Sequence, residues 1–297
     1  MLRAATRGSE LARWQTDHVG ELMVEAGGPA LEPLIVSTLG DRRLDTSIHL
    51  MGGKGVFVKE VQAAVLDGRA DIAVHSAKDL PAVTPDGLVI GAVPGRADAR
   101  DALVGARLVE LGPGAVVATG SVRRRAQLAW LRPDLTFAEL RGNIATRLDK
   151  AAAFSAIVMA AAALDRLGVE PDVVDRLDPS VFLPQVGQGA LAVECRADDM
   201  ATRELLAEIE DPITRRAVDT ERAFLAELGG DCDLPAGAHA TIIGAGAVEL
   251  TGMLASLDGR VLVRESRSGP DPAELGRAVA RYLLDDCGGA DLLVGAS

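Results

Sequence analysis

Lys78 and Asp79 are the pair in this sequence whose types and position most directly suggest chemistry. They lie in R-A-D-I-A-V-H-S-A-K-D-L-P, residues 69–81, just after an apolar run at 72–74 that predicts a buried parallel strand. Ligands bind at the carboxyl ends of strands in open α/β sheets, so a carboxylate beside an ammonium there is a candidate for acid–base chemistry. Pro81 favours an extended Leu80, which would hold the pair on a defined turn. A solvated surface ion pair is the competing interpretation.

Arginines that follow predicted strands form a second candidate feature. Arginine forks bind carboxylates bidentately, so several arginines in one cleft would suit a ligand with many carboxylates, or a phosphorylated one. Scattered, solvated arginines are the alternative. The residues are Arg7, Arg123, Arg124, Arg125, Arg141 and Arg147.

The overall charge restricts the function classes. The formal net charge is -12, from 31 Lys+Arg and 43 Asp+Glu, which argues against a nucleic-acid binder with a general basic surface. No run approaches 18 uncharged apolar residues and the N-terminal segment is charged, so we expect a cytoplasmic protein that binds neither nucleic acid nor membrane.

The three cysteines, Cys195, Cys232 and Cys287, are widely spaced and form no CxxC pair. We therefore expect neither a disulfide framework nor a metal site. Cys232 follows Gly229-Gly230-Asp231 in a predicted loop, whereas Cys195 ends the apolar run L-A-V-E-C. A loop cysteine is the better candidate for a reactive thiol, although an inert Cys232 fits the sequence as well.

The order of predicted helices and strands that must position these residues indicates two α/β domains followed by an α+β domain. The first has predicted strands at 2–6, 33–39 and 72–74, with Ser9 as the N-cap of the first helix, and a strand at 190–194 could rejoin it. The second has strands at 115–118, 137–140 and 156–160, and strands at 241–244, 248–255 and 260–264 belong to the last. The predicted domains are residues 1–94 with 189–211, residues 95–188, and residues 212–297. Lys54 falls in a glycine-rich loop at 52–55 that lacks P-loop spacing.

Six ordered motifs resemble the porphobilinogen deaminase family, and the likeness covers nearly the whole chain. They are R-A-D-I-A-V-H-S-A-K-D-L-P, G-G-K-G-V-F-V-K-E, T-G-S-V-R-R, L-R-G-N-I-A-T-R-L, V-G-Q-G-A and the cysteine loop that ends in C-D-L-P-A-G. The resemblance implies two type II periplasmic-binding-protein-like α/β domains with mixed doubly wound sheets, plus a small C-terminal α+β domain. It also implies a monomer.

The activity implied by the resemblance is the head-to-tail joining of four porphobilinogen molecules with release of ammonia, followed by hydrolysis to hydroxymethylbilane. The implied cofactor is a dipyrromethane, held by a thioether to Cys232. Asp79 matches the catalytic carboxylate, whose charge can stabilise the cation left when ammonia departs. The residues that match cofactor-binding positions are Lys54, Lys78, Ser121, Arg123 and Arg124. Those that match substrate-binding positions are Arg7, Ser9, Arg141, Arg147 and Arg166.

Three positions depart from the family's common pattern: Leu39, Gly120 and Asp231. Asp231 matters most, because a carboxylate next to the attachment thiol disfavours the thiolate that must attack. The competing function class is a non-enzymatic, two-lobed protein that binds carboxylate solutes or effectors. Such a protein would need neither Asp79 nor Cys232.

Overall fold

The computed structural model of the chain describes residues 1–38, 58–229, 234–244 and 246–293. The strands, in chain order, are β1 (Leu2–Arg7), β2 (Leu31–Val36), β3 (Ile72–Ser76), β4 (Leu88–Ala92), β5 (Asp101–Val104), β6 (Val116–Ala118), β7 (Thr136–Ala138), β8 (Ala156–Ala160), β9 (Val174–Arg176), β10 (Leu191–Arg196), β11 (Ala236–Ile243), β12 (Ala247–Ala255) and β13 (Leu262–Gly269). The helices are α1 (Glu10–Glu25), α2 (Lys59–Leu66), α3 (Val122–Leu131), α4 (Ile144–Asp149), α5 (Ala161–Arg166), α6 (Met200–Ala207), α7 (Pro212–Glu227), α8 (Pro272–Arg281) and α9 (Gly289–Leu293).

The chain divides into two compact units: Met1–Ala97 with Gly189–Arg216, and Asp98–Gln188 with Ala217–Ser297. The second α/β sheet and the C-terminal sheet thus both belong to the second unit. The finer division into three domains stays a prediction. No helix in the described part of the chain is long and apolar enough to cross a membrane.

The first unit is built on a sheet with the strand order β2-β1-β3-β10-β4 among the described residues. Strand β1 pairs in parallel with β2 and β3, whereas β10 pairs antiparallel with β3 and β4. The predicted return strand therefore lies inside the sheet rather than at its edge. The core of the first unit is made of small aliphatic side chains such as Ala4, Ala73 and Val193, as the aromatic content of 3% requires.

The second unit contains a sheet with the strand order β7-β6-β8-β5-β9, again with one strand, β5, antiparallel between two neighbours. This is the same arrangement as in the first unit, which confirms two mixed doubly wound α/β sheets. Two of these strands, β5 and β9, were not predicted from the sequence. Each has only three or four residues, and both carry aspartates, which are depleted in strands.

The third sheet, β11-β12-β13, is an antiparallel meander in the second unit. The predicted Asp258-Gly259 turn joins β12 to β13, and Gly259 has the positive φ of 71° that such turns require. The meander strands are longer than predicted: β11 begins at Ala236 and β13 runs to Gly269. Helix α8 packs on it and begins at Pro272 with Asp271 as its N-cap, as predicted.

Gly276 permits a close contact between α8 and α7. A Cβ at this position would lie 2.7 Å from the backbone nitrogen of Phe224 and would also clash with the carbonyl oxygen of Thr220. We expect Gly276→Ala to lower the free energy of unfolding by about 1–3 kcal/mol, because helix backbone must move apart. Gly20→Ala in α1 is the matched control, since its Cβ would meet Leu31 at an ordinary 3.6 Å.

The control should raise stability by about 0.5–1 kcal/mol through helix propensity alone. Urea unfolding followed by circular dichroism measures both variants. Equal stability of Gly276→Ala and the parent would contradict the close packing.

Candidate active site

Asp79 lies where the sequence placed it, on a turn at the carboxyl end of a buried strand. Strand β3 ends at Ser76, and Ala77–Asp79 form one 3₁₀ turn that ends at an extended Leu80 with ψ of 141°, as predicted for the residue before Pro81. Asp79 and Lys78 are half-buried on this turn. The pair is therefore held by local backbone geometry and is not part of a solvated loop.

A small cavity in the first unit brings Asp79 together with residues from β1 and α1. The residues lining it are Arg7, Ser9, Leu11, Ala12, Gln15, Val58, Val74, His75, Ser76 and Asp79. Arg7 ends β1, which pairs in parallel with β3, so both strands deliver polar side chains to one edge of the sheet. Of the sequence-predicted site residues, this cavity brings together Arg7, Ser9 and Asp79.

The position of Ser9 follows from helix capping. As predicted, Ser9 is the N-cap of α1, and its Oγ accepts a hydrogen bond from the Ala12 backbone nitrogen at 3.3 Å. One turn further along the helix, Gln15 donates from Nε2 to Ser76 Oγ at 2.9 Å. The first turns of α1 are thereby tied to the strand end that carries the Lys78-Asp79 turn.

A buried polar group that was not predicted lies behind the cavity wall. Glu194 of β10 is fully buried, and Gln62 of α2 donates from Nε2 to both of its carboxylate oxygens, at 3.1 and 2.9 Å. The Nε2 atom of His75 lies 3.0 Å from Glu194 Oε2. The sequence feature that could have indicated this buried group is the glutamate within the apolar run L-A-V-E-C, because a carboxylate inside a buried strand needs partners.

In the second unit, Arg123 and Arg124 lie in the first turn of α3 and are both buried. Ser121 is the N-cap of this helix and accepts from the Arg124 backbone nitrogen at 3.4 Å. Asp101, fully buried at the start of β5, lies 2.8 Å from Arg123 Nη1 and accepts from Arg124 Nε at 2.8 Å. The sequence did not predict that Asp101 would pair with these arginines.

The three charges of this group perturb one another. Burial by itself would raise the pKa of Asp101, but the two neighbouring guanidiniums outweigh it and lower the pKa to about 2. Burial lowers the pKa of Arg123, and Asp101 offsets part of that change. The group therefore carries a net positive charge inside the unit.

Arg123 retains unused binding capacity. Its Nη1 donates to the Leu183 carbonyl oxygen at 2.6 Å, whereas Nε and Nη2 are buried with no hydrogen-bond partner among the described residues. These two nitrogens are the side-on fork that matches a carboxylate bidentately. Buried donors of this kind are rarely left unpaired in a working protein, so the arrangement fits an anionic ligand with carboxylate groups.

Arg141 and Arg147 flank a tight turn in the second unit, and both are half-buried. Gly142 adopts φ of 120°, a region that disfavours other residues, and Asn143 caps α4 by accepting from the Thr146 backbone nitrogen at 2.9 Å. Arg147 donates from Nε to the Gly142 carbonyl oxygen at 2.8 Å. Arg166 ends α5, where burial lowers its pKa to about 10 and Asp165 offsets a part of that effect.

Two predicted site residues, Lys54 and Cys232, lie outside the described residues. Of the other cysteines, Cys195 is buried in the core of the first unit, and Cys287 is half-buried after the segment Tyr282–Asp286. Burial raises the pKa of the Cys195 thiol to about 11, and the nearby Asp199 adds to this effect. Cys195 is therefore a poor nucleophile near neutral pH.

Comparison with known proteins gives one consistent result. Residues 2–204 match the family model described as "Porphobilinogen deaminase, dipyromethane cofactor binding domain", and residues 216–285 match "Porphobilinogen deaminase, C-terminal domain". The porphobilinogen deaminase of Syntrophobacter fumaroxidans is 48% identical over 295 residues, which cover 96% of this chain and 94% of that protein. The enzymes of the same name from Brevibacillus brevis and Bacillus subtilis are 46% and 44% identical; each alignment covers 98% of this chain, and 96% and 95% of the respective relative.

Proposed function

The chain belongs to the porphobilinogen deaminase family, and we propose on that premise that the cavity lined by Asp79 is where it acts on porphobilinogen. The enzyme is a transferase that joins four porphobilinogen molecules head to tail, releases ammonia and hydrolyses the product to hydroxymethylbilane. The match of the two family models along 2–204 and 216–285 is the observation that carries this conclusion. It disfavours the non-enzymatic solute-binding alternative.

Asp79 is the catalytic carboxylate in this proposal. Loss of ammonia from the substrate leaves a cation, and a fixed carboxylate within the cavity stabilises that charge and can take up the proton released when the new bond forms. The 3₁₀ turn and the extended Leu80 hold Asp79 in place before substrate arrives, so little reorganisation is needed during the reaction.

Basic and hydroxyl side chains bind the acetate and propionate groups of the substrate. Arg7 and Ser9 do so from the cavity of the first unit. Arg141, Arg147 and Arg166 of the second unit match substrate-binding positions of the family, and half-buried guanidiniums form stronger pairs with carboxylates than solvated ones would. These positions explain why an acidic protein carries local clusters of arginine.

Cys232 holds the dipyrromethane cofactor, and Lys54, Lys78, Ser121, Arg123 and Arg124 bind its carboxylates. When bound, the cofactor supplies the pyrrole carbon to which the first substrate is joined. The side-on fork of Arg123 supports this role, because a carboxylate would satisfy both of its buried, unpaired nitrogens. Arg124 is paired with Asp101, and it contributes to the net positive charge of this buried group.

The remaining parts of the proposal concern organisation and location. We assign the catalytic carboxylate to a domain of residues 1–94 with 189–211, carboxylate binding to residues 95–188, and the attachment cysteine to residues 212–297. The enzyme works in the cytoplasm as a monomer that binds neither membrane nor nucleic acid. Size-exclusion chromatography with light scattering tests the oligomeric state: a mass of one chain is expected, and a dimer would contradict it.

The intact mass of the purified protein tests the proposed function. The parent, made in cells that synthesise porphobilinogen, should exceed its sequence mass by two linked pyrrole units, and a tryptic digest should place the excess on the peptide with Cys232. Cys232→Ser should lack the adduct and turn over porphobilinogen at least about 10²-fold more slowly, because the thiolate is the nucleophile that forms the anchor. Cys195→Ser and Cys287→Ser are the matched controls and should keep it. An unmodified, active parent would refute the attachment.

A further inference from the structure

A second cavity, with a volume of about 260 Å³, lies within the second unit between helix α3 and the C-terminal sheet. Helix α3 contributes Trp130 from its last turn, and the sheet contributes Met253 from β12 and Leu262 from β13. None of the nine described residues that line this cavity is among those proposed to bind substrate or cofactor. The proposed function therefore gives this cavity no occupant.

The walls of the cavity are held in place by contacts within the protein. Leu183 and Met253 belong to one buried apolar cluster, on which Leu262 packs. Gln127 fixes Leu183, because its Nε2 donates to the Leu183 carbonyl oxygen at 2.9 Å and its Oε1 accepts from the Leu183 nitrogen at 2.7 Å. The turn after β12 lies against α3, since a Cβ on Gly259 would be only 2.5 Å from a backbone oxygen of that helix. A ligand would thus enter a preformed site, which lowers the entropic cost of binding.

Most of the lining is apolar, and part of it is open to solvent. Six of the nine side chains are apolar, and two of these, Trp130 and Val181, are 48% and 54% exposed. An indole exposed to this extent beside a cavity offers a flat apolar face to a ligand. The cavity is smaller than the pockets that bind drug-sized molecules, so it suits an aromatic or branched aliphatic body of about 10 to 15 non-hydrogen atoms.

Arg264 is the only charged side chain among the described residues that line the cavity. Its Nη1 donates to the Ser180 carbonyl oxygen, and no carboxylate of the described residues lies within ion-pair distance of its guanidinium. Asp178 accepts from the Ser180 nitrogen at 2.7 Å, and Glu265 is paired with Arg267 at 2.9 Å. Partial burial lowers the pKa of Arg264, and no neighbouring carboxylate offsets this effect. Its other N–H groups can therefore bind the carboxylate of a ligand.

We propose that this cavity binds a small amphipathic monocarboxylate, with the carboxylate on Arg264 and an aromatic or branched aliphatic body against Trp130 and Met253. A single guanidinium selects for a single carboxylate. Porphobilinogen carries both an acetate and a propionate, and the residues that line the cavity offer no second cation. The inference goes beyond the proposed function and does not depend on it.

The emission of Trp130 reports binding directly in protein that carries Trp14→Phe, because the chain has only two tryptophans. The full chain is used as purified, with any covalent adduct in place. The probe is 4-phenylbutyrate, and 4-phenylbutan-1-ol is the uncharged probe of matching shape. We expect both probes to shift the Trp130 emission to shorter wavelength, because they cover the indole. The acid should bind about 5- to 10-fold more tightly than the alcohol, through its charged hydrogen bonds to a partly exposed arginine.

A variant of Arg264 locates the carboxylate. In the same Trp14→Phe background, Arg264→Gln should bind 4-phenylbutyrate about 5- to 10-fold more weakly and 4-phenylbutan-1-ol equally well. Arg260→Gln is the matched control, because the Arg260 side chain is 86% exposed in the turn before β13 and does not line the cavity. It should bind both probes as the background protein does. The comparison of acid with alcohol needs no change at Arg264, so it decides the role of charge even if Arg264→Gln is unstable.

Either of two results would overturn the proposal. Trp130 emission that neither probe changes at millimolar concentration would mean that the cavity does not bind such molecules. Equal affinities for the acid and the alcohol, or equal affinities for the acid with and without Arg264→Gln, would mean that Arg264 does not recognise the carboxylate.

Discussion

Asp79→Asn should fold like the parent and lose porphobilinogen turnover by about 10²- to 10³-fold, the usual effect of removing one preorganised electrostatic group from an active site. The amide matches the carboxylate in shape, and the 3₁₀ turn that presents it depends on backbone bonds and on Pro81 rather than on the charge. The amide can neither balance a cation on the substrate nor take up a proton. Ammonia release under saturating porphobilinogen is the measurement.

Asp86→Asn is the control for this variant, because Asp86 is an exposed aspartate of the same unit. It should match the parent in rate and melting temperature. The melting temperature of Asp79→Asn, followed by circular dichroism, should stay within a few degrees of that of the parent. A lower rate then reflects a loss of catalysis rather than a loss of folded protein. Ammonia release close to that of the parent would remove Asp79 from the proposed mechanism.

Asp101→Asn should cause a large loss of stability, about 3–5 kcal/mol, because it leaves two buried guanidiniums without their counter-ion. The sequence predicts that Arg123 and Arg124 bind a ligand, so that replacing either one would leave the fold intact. Their burial against Asp101 makes the same residues part of the core of the second unit. We therefore expect Arg124→Leu to lower stability as well as cofactor binding.

The pH dependence of the Asp101 contribution has a definite sign. The folded pKa of about 2 lies below the ordinary value, so the ionised carboxylate stabilises the fold fully above about pH 4, and this contribution disappears as the pH falls towards 2. Parent stability should thus drop by about 2 kcal/mol more than that of Asp101→Asn between pH 5 and 2. Urea unfolding at stepped pH measures this difference. Asp149→Asn, an exposed position, is the control, and parallel curves for parent and Asp101→Asn would contradict the pairing.

Features that depend on local sequence were predicted correctly. The strand before His75, the extended Leu80, the Ser9 cap and the Asp258-Gly259 turn each follow from a few adjacent residues. Their conformations are governed by short-range sterics and by hydrogen bonds to the nearest backbone groups, so a window of several residues is sufficient.

Pairings between distant elements could not be predicted. Asp101 and Arg124 are 23 residues apart, and β5, which carries Asp101, is too short to give a periodic signal. Glu194 is 132 residues from Gln62, and only the antiparallel register of β10 on β3 brings it to His75. A charged residue in an apolar run shows that a partner must exist, but the sequence does not show which one it is.

The position of β10 also sets the order in which this protein can be completed on the ribosome. Residues 191–196 supply an inner strand of the first sheet, yet they are made after the whole of Asp98–Gln188. Until then, β3 and β4 have no strand between them and present unpaired edges, which are prone to wrong pairing and aggregation. The carboxylate that faces His75 arrives with the same strand. The nascent chain can therefore complete its first sheet only after about two thirds of its length has been synthesised.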